Sequence, residues 1–214
     1  MPISTRASST TQGPRLFAIA ASRGGTLRFE AAVGGAIPIV RTLADALAGD
    51  EVSAIAGVFN GTCTAVLSAM EDGAAYADAL ATAQQLGYAE TDRSNDVDGV
   101  DAAHELALLM QLAFGLAVLS PRIARRGINE IEARDLARAK VLGLRVRLIA
   151  AAVRTPTGAF AEVAPLLVRA DHPLGRTSGA DNVALVVARD AGVLELCGAG
   201  AGGPLRHRSC SATS

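Results

Sequence analysis

The chain has 214 residues, half of them hydrophobic, which is ample for one compact domain with a real core and marginal for two. Twenty Lys and Arg nearly balance 21 Asp and Glu, so a formal charge of -1 offers nucleic acid or an anionic membrane no broad attraction. The apolar run LFAIAA ends at Ser22 and Arg23, far short of the roughly 20 residues that span a bilayer. Three cysteines (Cys63, Cys197 and Cys210), an odd number with no C-x-x-C pair, suit a reducing, cytosolic compartment better than a disulfide framework.

The N-terminal stretch carries Arg6, Arg15, Arg23 and Arg28, several Ser and Thr and no acid. It has no sustained period, so residues 1–26 are expected to be poorly ordered; the same composition also occurs in organelle transit peptides. Order is expected from about Leu27. The segment FEAAVGG ends in two glycines, and Pro38 can occupy the first turn of a helix through Ile39, Val40, Leu43 and Leu47 that stops near Gly49. VSAIAGVFN then predicts a buried strand, and NGT a turn into a helix with Val66, Leu67 and Met70 on one face, ending at Gly73. A further helix fits residues 76–86, with Gly87 as its C-terminal cap. After the polar loop YAETDRSNDVDG, a deeply buried helix fits residues 100–114, where Ala103, Leu106, Ala107, Met110 and Phe114 form a wide apolar face.

Another helix is expected over 131–142. The period then changes to that of strands in LRVRLIAAAVR, FAEVAPLLVR, NVALVVARD and GVLELCG. Strands grouped after helices point to an α+β fold rather than a regular βαβ repeat.

Six acids, Glu90, Asp92, Asp96, Asp98, Asp101 and Glu105, fall in the loop and the helix start after it. Carboxylates so grouped can hold a cation, or the ammonium and hydroxyl groups of an amino acid, through charge-assisted hydrogen bonds. The plainer reading is a solvated loop with acids at a helix N-terminus, where the macrodipole favours them. The run 94–105 nearly fits a calcium loop, but Ser94 stands at the first ligand position and Asp101 where an apolar residue belongs.

FEAAVGGAIPIV, AIAGVFNGTCTAVLSAM, LGYAETDRSNDVDGVDAAHELALLMQLAFG and RGINEIEARDLARAKVLG, in this order and spacing, resemble the catalytic region of homoserine dehydrogenases over residues 27–203. The resemblance implies an open, largely antiparallel or mixed sheet covered by helices. It also implies an enzyme interconverting L-homoserine and L-aspartate semialdehyde with NAD or NADP, in threonine and methionine biosynthesis. Glu90 and Asp101 would hold the homoserine amino and hydroxyl groups, with Asp96 nearby and Thr62 and Tyr88 lining the pocket. Thr62 has a plainer role as a helix cap, and Tyr88 as packing. The resemblance further implies a monovalent cation, sodium or potassium, on Glu30 and the backbone oxygens of Val33, Gly35 and Ile37, and a homodimer formed through the sheet.

Two departures stand out. The family's proton-relay lysine lies fifteen residues after the Glu90 position, and here that residue is Glu105, whose carboxylate inverts the local charge. Asp92, Arg93 and Ser94 also replace the family's Asp-Pro-Thr or Asp-Pro-Ser. Moreover, the family's nucleotide-binding domain finds no counterpart in the sequence. GAGAGG at 198–203 matches G-x-G-x-x-G, yet Pro204 follows instead of a helix. It is more similar to the family's glycine turn beside the cofactor, in which Gly200 would approach the dinucleotide, with 204–214 a divergent tail. The expected protein is thus a truncated dehydrogenase module, weakly active or inactive alone. The alternatives are a non-catalytic amino-acid-binding or regulatory subunit that pairs with a full-length homologue, and an inert remnant.

Overall fold

The computed structural model describes residues 29–86 and 94–200, together with Ile19, Ser22 and Arg23. The expectations for 1–26, Leu27, Gly87 and 204–214 lie outside these residues. In chain order the described elements are α1 (Ile39–Arg41), β1 (Val52–Val58), α2 (Gly61–Glu71), α3 (Tyr76–Gln85), α4 (Ser94–Val97), α5 (Val100–Phe114), β2 (Ala124–Arg125), α6 (Ala133–Val141), β3 (Leu144–Thr155), β4 (Gly158–Arg169), α7 (Pro173–Arg176), β5 (Asp181–Ala188) and β6 (Gly192–Ala199). The elements expected from periodicity are present, and α5 spans the expected residues.

Local chemistry sets the boundaries. Glu132 and Asp135 form a reciprocal capping box at the start of α6. Gly115, at φ +68°, ends α5 in the left-handed conformation that costs a glycine nothing. One helix differs from expectation: after Arg41, α1 widens into a π-turn over Thr42–Ala46, in which Leu47 N–H donates to the Thr42 carbonyl.

The strands form one six-stranded sheet in the order β2-β4-β3-β1-β5-β6. All neighbours are antiparallel except β2, which runs parallel to β4. The sheet is therefore open and mixed, in an α+β fold. Alternation along β3 divides its faces: Val146, Leu148, Ala150 and Ala152 join the main core with Val66, Leu67, Leu106, Leu109 and Leu136 of the helices. Ile149 belongs to a smaller cluster on the opposite face with Val58, Val183 and Leu174 of α7. Beyond α7 that second face is open, and Val153, Phe160 and Val193 are 48%, 57% and 68% exposed along it.

Arg147, fully buried in β3, ties the layers together. Its guanidinium donates to Glu71 at the end of α2 at 2.7 Å and to the Thr177 carbonyl after α7 at 3.0 Å, so the charge is paired where solvent cannot reach it. Among the described residues, no helix is long and apolar enough to cross a membrane.

Candidate active site

The residues of interest gather around the first turn of α2. Asn60 caps this helix: its Oδ1 accepts from Cys63 N–H at 2.8 Å. Its Nδ2 donates to Asp96 Oδ1 at 2.7 Å, while Thr62 Oγ1 donates to Asp96 Oδ2 at 3.2 Å. Thr62 therefore reaches the acidic loop, and the capping role belongs to Asn60. Cys63 Sγ lies 3.4 Å from the Asp96 carbonyl oxygen and completes the attachment.

Part of the polar loop is the one-turn helix α4, too short to hold itself. Besides its contacts to α2, it is pinned by the segment after β2. Ile128 N–H donates to the Val97 carbonyl at 2.9 Å, Asn129 Nδ2 donates to Asp98 Oδ1, and Tyr76 of α3 donates to Asn129 Oδ1 at 2.8 Å. Gly127 makes this possible, because a Cβ there would sit 2.1 Å from the Val97 carbonyl oxygen. The motif RGIN thus anchors the acidic loop.

Asp101 and Glu105 lie one turn apart on α5, on the same side of the helix. Glu105 is only 2% exposed, and its Oε2 accepts from Gly34 N–H at 2.9 Å. The Glu105 carboxylate is thus a backbone acceptor for the Gly34–Gly35 turn. Both glycines have left-handed φ, +67° and +65°. Gly35 packs so tightly on the end of β6 that a Cβ would lie 2.0 Å from the Gly200 carbonyl oxygen, and Ala36 N–H donates to the Ala199 carbonyl at 2.9 Å. Gly200 N–H in turn donates to the Ala180 carbonyl at 2.8 Å. A Cβ on Gly200 would meet Asn182 Oδ1 at 2.6 Å, so its lack of a side chain is already required by protein packing and is not by itself a sign of a cofactor.

The segment expected to bind a cation runs beside this turn. The Glu30 carboxylate is engaged elsewhere, accepting from Val40 N–H at 2.9 Å and Arg41 N–H at 3.0 Å at the start of α1. In the same segment the Glu30 carbonyl accepts from Val33 N–H at 3.3 Å and the Ile37 carbonyl from Ile39 N–H at 2.8 Å.

Electrostatics follow the geometry. Burial pushes the Cys63 thiol well above its ordinary value, and the charges of Asp96, Asp98 and Asp101 push it further, so all three carboxylates bear on the first turn of α2. Burial lowers the His104 imidazole below its usual range, against the opposing pull of Asp101 3.9 Å away.

The structure therefore brings Thr62 and Asp96 into direct contact, places Asp101 and Glu105 along one side of α5, and sets Glu105 and Gly200 on the Gly34–Gly35 turn. Tyr88 and Glu90 lie outside the described residues. Sequence reasoning missed Asn60 and Asn129. Asn60 carried a legible signal as an N-cap before a helix, but its second bond depends on a loop 36 positions away.

The family model for homoserine dehydrogenase matches residues 38–205. A homoserine dehydrogenase from Mycobacterium tuberculosis is 45% identical over 183 residues, covering 83% of this chain and 42% of the relative. One from Lactococcus lactis is 38% identical over 191 residues, covering 89% and 45%. The crystal structure of a homoserine dehydrogenase from Thiobacillus denitrificans superposes with a TM-score of 0.88 at 37% identity, covering 92% of this chain and 46% of that one. A hyperthermophilic archaeal homoserine dehydrogenase mutant in complex with NADPH gives 0.78 at 28% identity, covering 94% and 58%. The chain spans less than half the length of these curated relatives, and it belongs to the homoserine dehydrogenase family.

Proposed function

We propose that this chain forms the substrate-binding half of a homoserine dehydrogenase, holding L-homoserine or L-aspartate semialdehyde between the first turn of α2 and the N-terminal end of α5. The observation that carries this reading is the docking of Asp96 on α2 by Asn60 and Thr62, with Asp98 and Asp101 close enough to act on the same turn. A zwitterionic amino acid with a terminal hydroxyl needs acceptors for its ammonium and hydroxyl groups, and carboxylates fixed by protein donors supply them without reorganisation. Glu90 and Asp101 are assigned to those two groups, with Asp96 nearby and Thr62 and Tyr88 lining the pocket.

NAD or NADP, when bound, supplies the hydride acceptor. Gly200, at the end of β6, is assigned to the approach of the dinucleotide by the family resemblance alone, since the space beside it is filled by Asn182 and Ala180. Glu30 and the backbone oxygens of Val33, Gly35 and Ile37 are assigned to a monovalent cation, sodium or potassium, for which oxygen donors are suited. The open sheet face, with Val153, Phe160 and Val193 exposed on it, is assigned to a homodimer interface.

One observation favours a second reading. Glu105, at the relay position, is buried and accepts from a backbone N–H, an arrangement that does not present an ammonium to the reacting hydroxyl. The chain would then bind the amino acid with little or no turnover, as a sensing or regulatory subunit. Calorimetric titration with homoserine, in sodium or potassium buffer with and without NADP, tests both. Saturable binding abolished by Glu90→Ala supports the substrate site, and NADP reduction then separates enzyme from sensor. A flat titration of the folded chain overturns both.

A further inference from the structure

The Asn60 side chain bonds both the backbone at the start of α2 and the acidic loop. It is 6% exposed, and the two ends of its carboxamide are used in opposite senses: the oxygen accepts from Cys63 N–H, and the nitrogen donates to Asp96. An N-cap by itself is served as well by Asp, Ser or Thr. Serine and threonine satisfy the cap but are too short to reach the loop as well. Aspartate reaches as far but has no donor, and would set a second carboxylate against the first. The geometry selects asparagine because one group must be both acceptor and donor.

We infer that Asn60 is a positioning residue of the substrate site, fixing Asp96 and the loop around it on the first turn of α2. This deepens the reading of that loop as the homoserine site and rests on it. The loop is poor in internal support: α4 is one turn long, and Asp96 is bound on both carboxylate oxygens by donors from α2. Loss of the Asn60 donor leaves Thr62 as the remaining side-chain donor to that carboxylate among the described residues, at the longer distance of 3.2 Å.

The test compares Asn60→Asp with the double substitution Asn60→Asp/Asp96→Asn at neutral pH, by amide hydrogen exchange and homoserine titration. Asn60→Asp keeps the α2 cap, so exchange across 61–71 stays protected, while exchange over 94–99 speeds up about tenfold or more and homoserine affinity falls by a similar factor, about the effect of one lost charge-assisted bond. The double substitution exchanges the partners: the amide at 96 donates to the carboxylate at 60, whose second oxygen still accepts from Cys63 N–H. Loop protection returns even though charge has moved, a rescue that a purely capping role does not produce. Unchanged loop exchange in Asn60→Asp, or no recovery in the double substitution, overturns the positioning role. If the wild-type chain binds no homoserine while Asn60→Asp still loosens the loop, the substrate reading falls and the positioning role stands.

Discussion

Replacing Glu105 is the most informative perturbation, because its carboxylate is buried and holds Gly34 N–H at 2.9 Å. In Glu105→Ala the N–H loses this acceptor, at a cost of about 1–3 kcal/mol, and a buried methylene is lost at about 0.8 kcal/mol, so about 2–4 kcal/mol in all. At roughly 2–4 °C per kcal/mol for a chain of this size, Tm falls by roughly 5–15 °C. Glu105→Gln keeps an acceptor of the same length and exchanges a charge-assisted bond for a neutral one, about 1 kcal/mol. Glu105→Lys substitutes donors for the acceptor, and recovers only about 0.3–0.5 kcal/mol from the opposite charge on Asp101 four residues earlier. The expected order of stability is wild type, Gln, then Lys and Ala. Thermal unfolding followed by circular dichroism, with denaturant unfolding to check that m is constant, measures the order. A Glu105→Lys chain as stable as wild type or more so would refute the reasoning, since the pocket would then be built for an ammonium.

The open sheet face predicts a dimer: light scattering at micromolar concentration should give twice the chain mass for wild type, and Phe160→Glu should give a folded monomer. A wild-type monomer would contradict the assignment. His104 supplies a pH dependence whose sign follows from its burial. Its folded value is depressed below 6.5, so the unfolded chain binds the proton more readily, and stability declines as pH falls from about 6.5 toward the folded value. His104→Gln should flatten Tm between pH 7.5 and 5.5, and an unchanged slope would count against it.

How much was legible can be judged element by element. The strand-like run LRVRLIAAAVR was legible as β3, but its two faces were not, since Arg147 is buried on the face opposite the main core. Val100–Phe114 was legible from end to end, with apolar residues at helical spacing between Gly99 and Gly115. The two-residue β2 carries no period of its own and exists through its pairing with β4, and α7 is a single turn stabilised by Leu174 in the smaller cluster. Thr62 and Asp96 were named together through the family resemblance, and the structure bonds them. Their mutual bond, and the part played by Asn60, depend on how closely two segments far apart in the chain approach.

The same distinction separates the architecture of the site from its chemistry. Glu105 holds Gly34; Gly35 packs on Gly200; Gly200 is bonded to Ala180; and Ala180 lies against Gly61, beside the Asn60 that holds Asp96. Most of these links are backbone at close approach, where glycine is required by its neighbours and not by a ligand. What this run of contacts asks of position 105 is an acceptor for one N–H, and a carboxylate meets that need. Glu105 therefore satisfies the packing of the Gly34–Gly35 turn. What relay by a lysine asks of the same position is an ammonium beside the substrate hydroxyl, which a carboxyl side chain does not supply. Measuring homoserine binding separately from turnover tells which of the two this chain has.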